Sequence, residues 1–209
     1  MHHQTIITTL FALLALAGCK PAQPLLTQDL SSPVRAITRQ HIELRDGQQL
    51  ALPYSKQTGA TLFVLIRHAE KAGGDEDPLL TLEGTRRAIL LSEVLRDLPL
   101  QAVYASNLRR TMLTAEPTAQ AQNLTAIPYN PKQLDELTAK LQREHQGQTV
   151  LVVGHSNTTP ELANRLAGAD LLPELPESDY DKIFLVELGK GKRRKVFQLA
   201  FELERGNVD

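Results

Sequence analysis

Three apolar runs in this chain end in residues able to handle a phosphoryl group. Residues 61–66 (TLFVLI) stop at Arg67-His68, residues 102–105 lead into Ser106-Asn107-Leu108-Arg109-Arg110-Thr111, and residues 149–153 lead into Gly154-His155-Ser156-Asn157-Thr158. The planar fork of arginine matches phosphoryl oxygens. Cationic donors around a neutral imidazole lower its pKa by like-charge repulsion and leave a ring nitrogen unprotonated at neutral pH. An imidazole of that kind is a nucleophile able to attack phosphorus.

Bringing these groups together requires strands that end at one edge of a sheet. The continuous, partly β-branched run 61–66 reads as a strand covered on both faces. Residues 81–98 show helical spacing, with Leu82, Ile89, Leu91, Val94 and Leu95 apolar, Thr81 as N-cap and Pro99 beyond the end. The alternation continues as strand 102–105, helix 108–122, strand 125–129, helix 131–145, strand 149–153 and a helix over 159–166. A Pro-rich loop follows, then strands 182–188 and 194–202 joined across Gly189-Lys190-Gly191. Upstream, residues 34–52 alternate loosely and predict a hairpin turning near Asp46-Gly47. This order predicts an α/β fold, a three-layer α/β/α sandwich around a mostly parallel sheet, in one domain over 34–209. Ligands of open α/β sheets bind beyond the carboxyl ends of the strands, where the two histidines and the arginines would meet.

Composition narrows the partners. Lys+Arg number 23 against 24 Asp+Glu, and aromatics are 4% with no Trp, so neither net charge nor stacking surface points to nucleic acid. The single cysteine, Cys19, excludes an internal disulfide and a cysteine-rich zinc site. No Walker A loop, HExxH or EF-hand pattern is present. The expectation is therefore no metal, no cofactor and a small phosphorylated substrate.

The segments Arg67-His68-Ala69-Glu70-Lys71, Tyr104-Ala105-Ser106 through Arg110-Thr111 to Thr114-Ala115, and Gly154-His155-Ser156-Asn157-Thr158 resemble the three motifs of the histidine phosphatase (phosphoglycerate mutase-like) superfamily. Thr81-Leu82-Glu83-Gly84 with Arg87-Ala88 is similar to the family's T-x-x-G-x-x-x-A stretch. The resemblance runs from about Thr61 to Leu188 and marks an RHAEK-type bacterial member. It implies a phosphoglycerate mutase-like fold and a metal-independent phosphatase acting through phosphohistidine. His68 would carry the phosphoryl group and Arg67 would bind its oxygens. Arg110 rather than Arg109 would be the family's second arginine. His155 would complete the cationic pocket. A mutase on the same residues is the less favoured outcome in so short a chain.

The family's proton donor has no clear counterpart here. Glu70 is the carboxylate nearest the nucleophile in sequence, read either as the catalytic acid or as an ion-pair partner of Lys71 or an arginine. Asp135, Glu136 and Asp181 are the other candidates. Without an acid, good leaving groups such as phosphoramidates and anhydrides become the favoured substrates. Lys71 could add charge toward phosphate. Ser156 and Asn157 open the helix after His155 and could help hold an anion. Tyr180-Asp181 could line the pocket. A non-catalytic protein that uses the crevice to bind phosphorylated glycans or lipids is the alternative from another class.

Residues 6–17 (IITTLFALLALA) have the length of a signal h-region, and Leu16-Ala17-Gly18-Cys19 resembles the lipobox of bacterial lipoproteins. The expected organisation is a lipoprotein signal peptide over 1–18, lipidation at Cys19 and a tether over 19–33. The anchor would hold the protein to the bacterial cell envelope. Lys20 in place of an aspartate after the cysteine points to the outer membrane, facing the periplasm.

Overall fold

Alternate residues of the central strands face two separate cores, which is what makes those strands continuously apolar. The structure, a computed structural model, describes residues 25–27, 32–54, 59–74, 76–191 and 193–203. The expected leader, Cys19 and most of the expected tether lie outside the described residues.

A seven-stranded sheet has the order β1-β10-β9-β5-β8-β6-β7, formed by Leu25–Thr27 (β1), Arg194–Ala200 (β10), Lys182–Leu188 (β9), Thr61–Arg67 (β5), Thr149–Gly154 (β8), Ala102–Ser106 (β6) and Ala126–Tyr129 (β7). β9 pairs antiparallel with β5 and β10, and every other pairing is parallel. Leu62, Val64 and Ile66 face a core shared with helices α1 (Leu82–Val94) and α2 (Arg109–Ala121). Phe63 and Leu65 face a second core with α3 (Leu134–Glu144) and α4 (Thr158–Ala167). The period of two along β5 thus divides its side chains between both helical layers. This is the predicted three-layer sandwich around a mostly parallel sheet.

Two departures from expectation have local causes. The segment 34–52 forms a separate three-stranded sheet of β2 (Val34–Ile37), β3 (His41–Leu44) and β4 (Gln49–Ala51) rather than one hairpin. A second turn arises because Thr38 Oγ1 accepts the backbone N–H groups of Gln40 and His41 at 3.2 and 3.0 Å. The tether expected over 19–33 is also interrupted, because β1 pairs in parallel with the otherwise open backbone edge of β10. An unpaired edge offers a row of donors and acceptors to any extended segment that can reach it.

The T-x-x-G-x-x-x-A stretch acquires a physical meaning in α1. Thr81 caps the helix by accepting the Gly84 N–H at 3.0 Å. A Cβ on Gly84 would stand 2.2 Å from the Glu70 carbonyl oxygen, so glycine lets the helix touch the backbone two residues after His68. Ala88 is fully buried at the next contact. The helix buries Gly84, Arg87, Ala88, Leu91 and Val94, whereas Leu82 and Ile89, expected on its apolar face, are exposed.

Candidate active site

Register delivers the two histidines side by side. Arg67 of β5 lies opposite Gly154 of β8, and the His68 N–H donates to the Gly154 carbonyl at 2.9 Å as the strands end. The next residues, His68 and His155, leave the sheet together with ring centroids 5.4 Å apart and planes at 66°. Gly154 has to be small, because a Cβ there would meet Thr159 Oγ1 at 2.8 Å and both Thr158 Oγ1 and Tyr129 Oη at 3.0 Å. Thr114 of α2 accepts the Ala69 N–H at 2.9 Å and pins the turn after His68.

His68 is 3% exposed and its Nδ1 lies 2.8 Å from the Ala69 carbonyl oxygen. A carbonyl can only accept, so the proton sits on Nδ1 and Nε2 keeps its lone pair. Burial lowers the pKa of His68 to about 3, with His155, Arg67 and Arg110 adding repulsion against the bond to Ala69. The ring is therefore neutral, with an unprotonated nitrogen.

His155 is tied to the end of β6. Its Nε2 lies 2.9 Å from Ser106 Oγ, which lies 2.9 Å from Thr111 Oγ1. Thr111 Oγ1 also lies 2.8 and 2.7 Å from the carbonyl oxygens of Ser106 and Leu108. The threonine proton goes to a carbonyl, Ser106 therefore donates to Thr111, and Ser106 accepts from His155 Nε2–H. Burial, then Arg110 and Arg67, lower the pKa of His155 to about 4. Its Nδ1 is thus unprotonated at neutral pH.

Both arginines carry a buried nitrogen that lacks a hydrogen-bond partner. Arg67 is 2% exposed, and its Nη1 donates to the carbonyls of Pro176, Glu177 and Asp179 at 3.0, 2.9 and 3.1 Å. Its Nη2 donates to Glu177 Oε2 at 2.8 Å, and its guanidinium stacks 4.2 Å from the Tyr180 ring centroid. The Nε atoms of Arg67 and Arg110 are both buried and unpartnered. A buried N–H without an acceptor is costly, and two beside a nucleophilic histidine fit the oxygens of a phosphoryl group. Sequence reasoning missed Glu177, which also accepts from Ser156 Oγ at 2.7 Å; the Pro-rich loop around it gave no signal. It missed Asp77 as well, which accepts the Arg109 N–H at 2.8 Å and lies 3.6 Å from Arg110 Nη1.

The remaining expected residues divide. Arg67, His68, Arg110, His155 and Ser156 converge. Lys71 is exposed, close enough that its charge is felt by Glu177. Asn157 spends its side-chain oxygen on capping α4, accepting from the Thr158 N–H at 2.8 Å. Glu70 forms an ion pair with Arg87. Arg87 Nε donates to Glu70 Oε1 and Oε2 at 2.8 and 3.0 Å, and Nη2 adds a bond of 2.6 Å. Both carboxylate oxygens of Glu70 are thus engaged by a buried guanidinium. Asp181 is paired with the same Arg87 at 2.6 Å. Asp135 is paired with Arg165, and Glu136 accepts from Gln133 at 3.0 Å. Arg109, passed over for Arg110 in the family resemblance, is exposed with Nη1 on the Asp77 carbonyl at 3.2 Å. Among the described residues, no group of three or more His, Cys, Asp or Glu is placed to hold a metal ion. Among them, too, no helix is long and apolar enough to cross a membrane.

A model of the histidine phosphatase superfamily (branch 1) matches residues 63–137. A stretch of 72 residues is 39% identical to Phosphoserine phosphatase 1 of Hydrogenobacter thermophilus, covering 31% of this chain and 34% of that protein. The chain thus matches about a third of the length of this curated relative. A candidate alpha-ribazole-5'-P phosphatase from Escherichia coli shares the fold with a TM-score of 0.53 at 19% identity, over 69% of this chain and 99% of the other. A phosphoglycerate mutase from Plasmodium falciparum does so with a TM-score of 0.50 at 18% identity, over 72% and 98% of the respective chains. The chain is thus similar to this family over residues 63–137 and shares the fold of these two solved structures.

Proposed function

We propose that the chain is a phosphatase that hydrolyses a phosphomonoester or a related phosphoryl compound through a phosphohistidine on His68. The observation that carries this reading is the free Nε2 lone pair of His68 beside two buried, unpartnered guanidinium Nε–H groups. His68 Nε2 forms a bond to phosphorus as the bond to the leaving oxygen or nitrogen breaks. Arg67 and Arg110 hold equatorial oxygens, where charge stabilisation acts most strongly in a dry site. The incoming anion reverses the local field at His155, which takes a proton from solvent or from a monoanionic phosphoryl group onto Nδ1 and then donates it in a hydrogen bond to the same oxygens. Water next attacks phosphorus, the P–N bond breaks, and phosphate leaves.

With Glu70 and Asp181 both bound by Arg87 and Asp135 by Arg165, the pocket favours substrates whose leaving group needs little protonation. Phosphoramidates and anhydrides fit that demand better than sugar phosphates. The test compares phosphate release from a chromogenic phosphomonoester and a phosphoramidate between wild type and His68→Ala. Loss in the variant supports the enzyme, and equal rates return the chain to a phosphate-binding role. Rapid quench of the wild type should trap acid-labile label on His68; its absence in an active enzyme would replace the covalent step with direct attack by water.

Acylation of Cys19 after cleavage at the lipobox would anchor this enzyme to the cell envelope, by preference the outer membrane. Cys19→Ala should remove acyl mass and membrane sedimentation together. An unchanged membrane fraction would overturn the anchor while leaving the catalytic reading in place.

A further inference from the structure

Each pocket arginine already holds a carboxylate. Glu177 Oε2 lies 2.8 Å from Arg67 Nη2, and Asp77 Oδ1 lies 3.6 Å from Arg110 Nη1. With the imidazoles of His68 and His155 neutral, these guanidiniums and carboxylates cancel. A pocket balanced in this way is a weak host for a dianion, so one carboxylate has to yield when phosphate enters.

The two differ in how firmly they are held. Asp77 is built into the start of α2, taking the Arg109 N–H on both oxygens at 2.8 and 3.1 Å while Arg109 Nη1 reaches its carbonyl at 3.2 Å. The Glu177 side chain is 77% exposed and is held from the pocket side by Arg67 Nη2 and by Ser156 Oγ at 2.7 Å. Arg67 stays fixed without it, because Nη1 is bound by three backbone carbonyls of the same loop. The Nε and Nη2 bonds of a guanidinium point the same way and form the edge that takes an oxyanion in bidentate fashion. Glu177 occupies the Nη2 half of that edge, and the Nε half is unpartnered.

We propose that Glu177 is a resident competitor for the phosphoryl group: its carboxylate fills the Arg67 Nη2 and Ser156 Oγ donors in the empty pocket and swings to solvent when a phosphoryl dianion takes them. This rests on the phosphoryl-transfer reading of the same site. Ser156 donation and the Arg67 charge hold the Glu177 carboxyl below the usual carboxylate range, so the competitor is charged at neutral pH. Two consequences follow for specificity. A ligand carrying one carboxylate gains nothing over the group already present, whereas a phosphoryl dianion gains the second half of the fork. Product phosphate is also bound weakly, because Glu177 returns to the donors as phosphate departs.

The experiment is calorimetric titration of inorganic phosphate at pH 8 into full-length wild type, Glu177→Gln and Glu177→Ala, with inhibition of ester turnover by phosphate measured in parallel. Both substitutions should tighten phosphate binding roughly tenfold, since each removes a like charge next to the incoming dianion. The inhibition constant should fall by a similar factor. Unchanged or weaker binding in the variants would overturn the competitor and make Glu177 a support for Arg67. Absence of phosphate binding and of turnover in all three proteins would overturn the phosphoryl reading itself, and the competitor with it.

Discussion

Arg67 and Arg87 are buried to nearly the same degree, 2% and 5% exposed, yet the chain around them is built to opposite ends. Arg87 is closed: Nε and Nη2 grip Glu70, while Nη1 holds Asp181 and the Phe201 carbonyl at 2.6 and 2.9 Å. The open side has Nε of Arg67 and Nε of Arg110 buried without acceptors. Closed, a buried cation ties α1 to the backbone beside His68 and to the β9 side of the sheet. Open, it stores unmet hydrogen-bonding capacity that a phosphoryl group can satisfy. Burial and charge are shared by both clusters; only the unfilled donors separate the candidate site from the brace.

Breaking the closed cluster should affect stability first. Arg87→Ala leaves Glu70 and Asp181 without their shared cation and should cost about 3–5 kcal/mol, as removal of one partner from a buried ion pair does. Chemical denaturation measures the loss, and the folded fraction should keep its pH–rate profile. Glu70→Gln sharpens the contrast: it should lower stability while leaving the alkaline limb of kcat/KM in place. Loss of that limb would make Glu70 the proton donor after all.

Opening the other cluster further should reverse the pattern. Arg110→Ala removes a donor aimed at developing charge and should lower kcat/KM by roughly 10²–10³-fold, the scale for deleting one such donor. Stability should move by less than about 1 kcal/mol, because the donor lost was already unsatisfied on Nε. Steady-state kinetics and a thermal melt on the same preparation decide it. A large stability loss with intact kinetics would place Arg110 beside Arg87 as a brace.

The open cluster was the more legible in the sequence. Arg67, His68 and His155 stand at the ends of strands whose apolar runs are unambiguous and Arg110 opens the helix after a third, so their meeting follows from a parallel sheet and its register. The closed cluster was hidden because its members are distant: Arg87 lies within a helix, Asp181 precedes β9, and no spacing rule links either to Glu70. Glu177 was hidden for another reason, since it acts from a loop whose path depends on three carbonyls finding Arg67. Turns were read less well than strands. The Thr38 turn and the pairing of β1 with β10 rest on backbone bonds that composition does not announce.

The two histidines should make the open cluster sensitive to acid. Their folded pKa values, about 3 for His68 and about 4 for His155, lie below the unfolded value near 6.5. Between those limits the unfolded chain binds protons that the folded chain refuses, so stability rises with pH and is lost on acidification. The loss begins as pH drops through 6.5 and ceases near 4 for His155 and near 3 for His68. Each histidine contributes at most about 1.4 kcal/mol per pH unit within its window. His155→Asn should therefore flatten the fall in stability measured between pH 6.5 and 5.5 relative to wild type. An identical slope would mean that His155 titrates normally despite its burial.

The smallest effect belongs to the hinge between the clusters, where α1 begins. Thr81 Oγ1 accepts the Gly84 N–H at 3.0 Å and lies 3.3 Å from the Glu70 carbonyl oxygen. The Thr81 N–H donates to that same carbonyl at 2.9 Å. Thr81→Ala should cost about 1 kcal/mol by removing the cap, while Thr81→Ser should restore most of it. Because the backbone bond to Glu70 survives either change, His68 stays in place and kcat should hold. If kcat fell in Thr81→Ala and returned in Thr81→Ser, the cap would be positioning the nucleophile through the Glu70 carbonyl, and the boundary between brace and binding site would have to be drawn one residue closer to the chemistry.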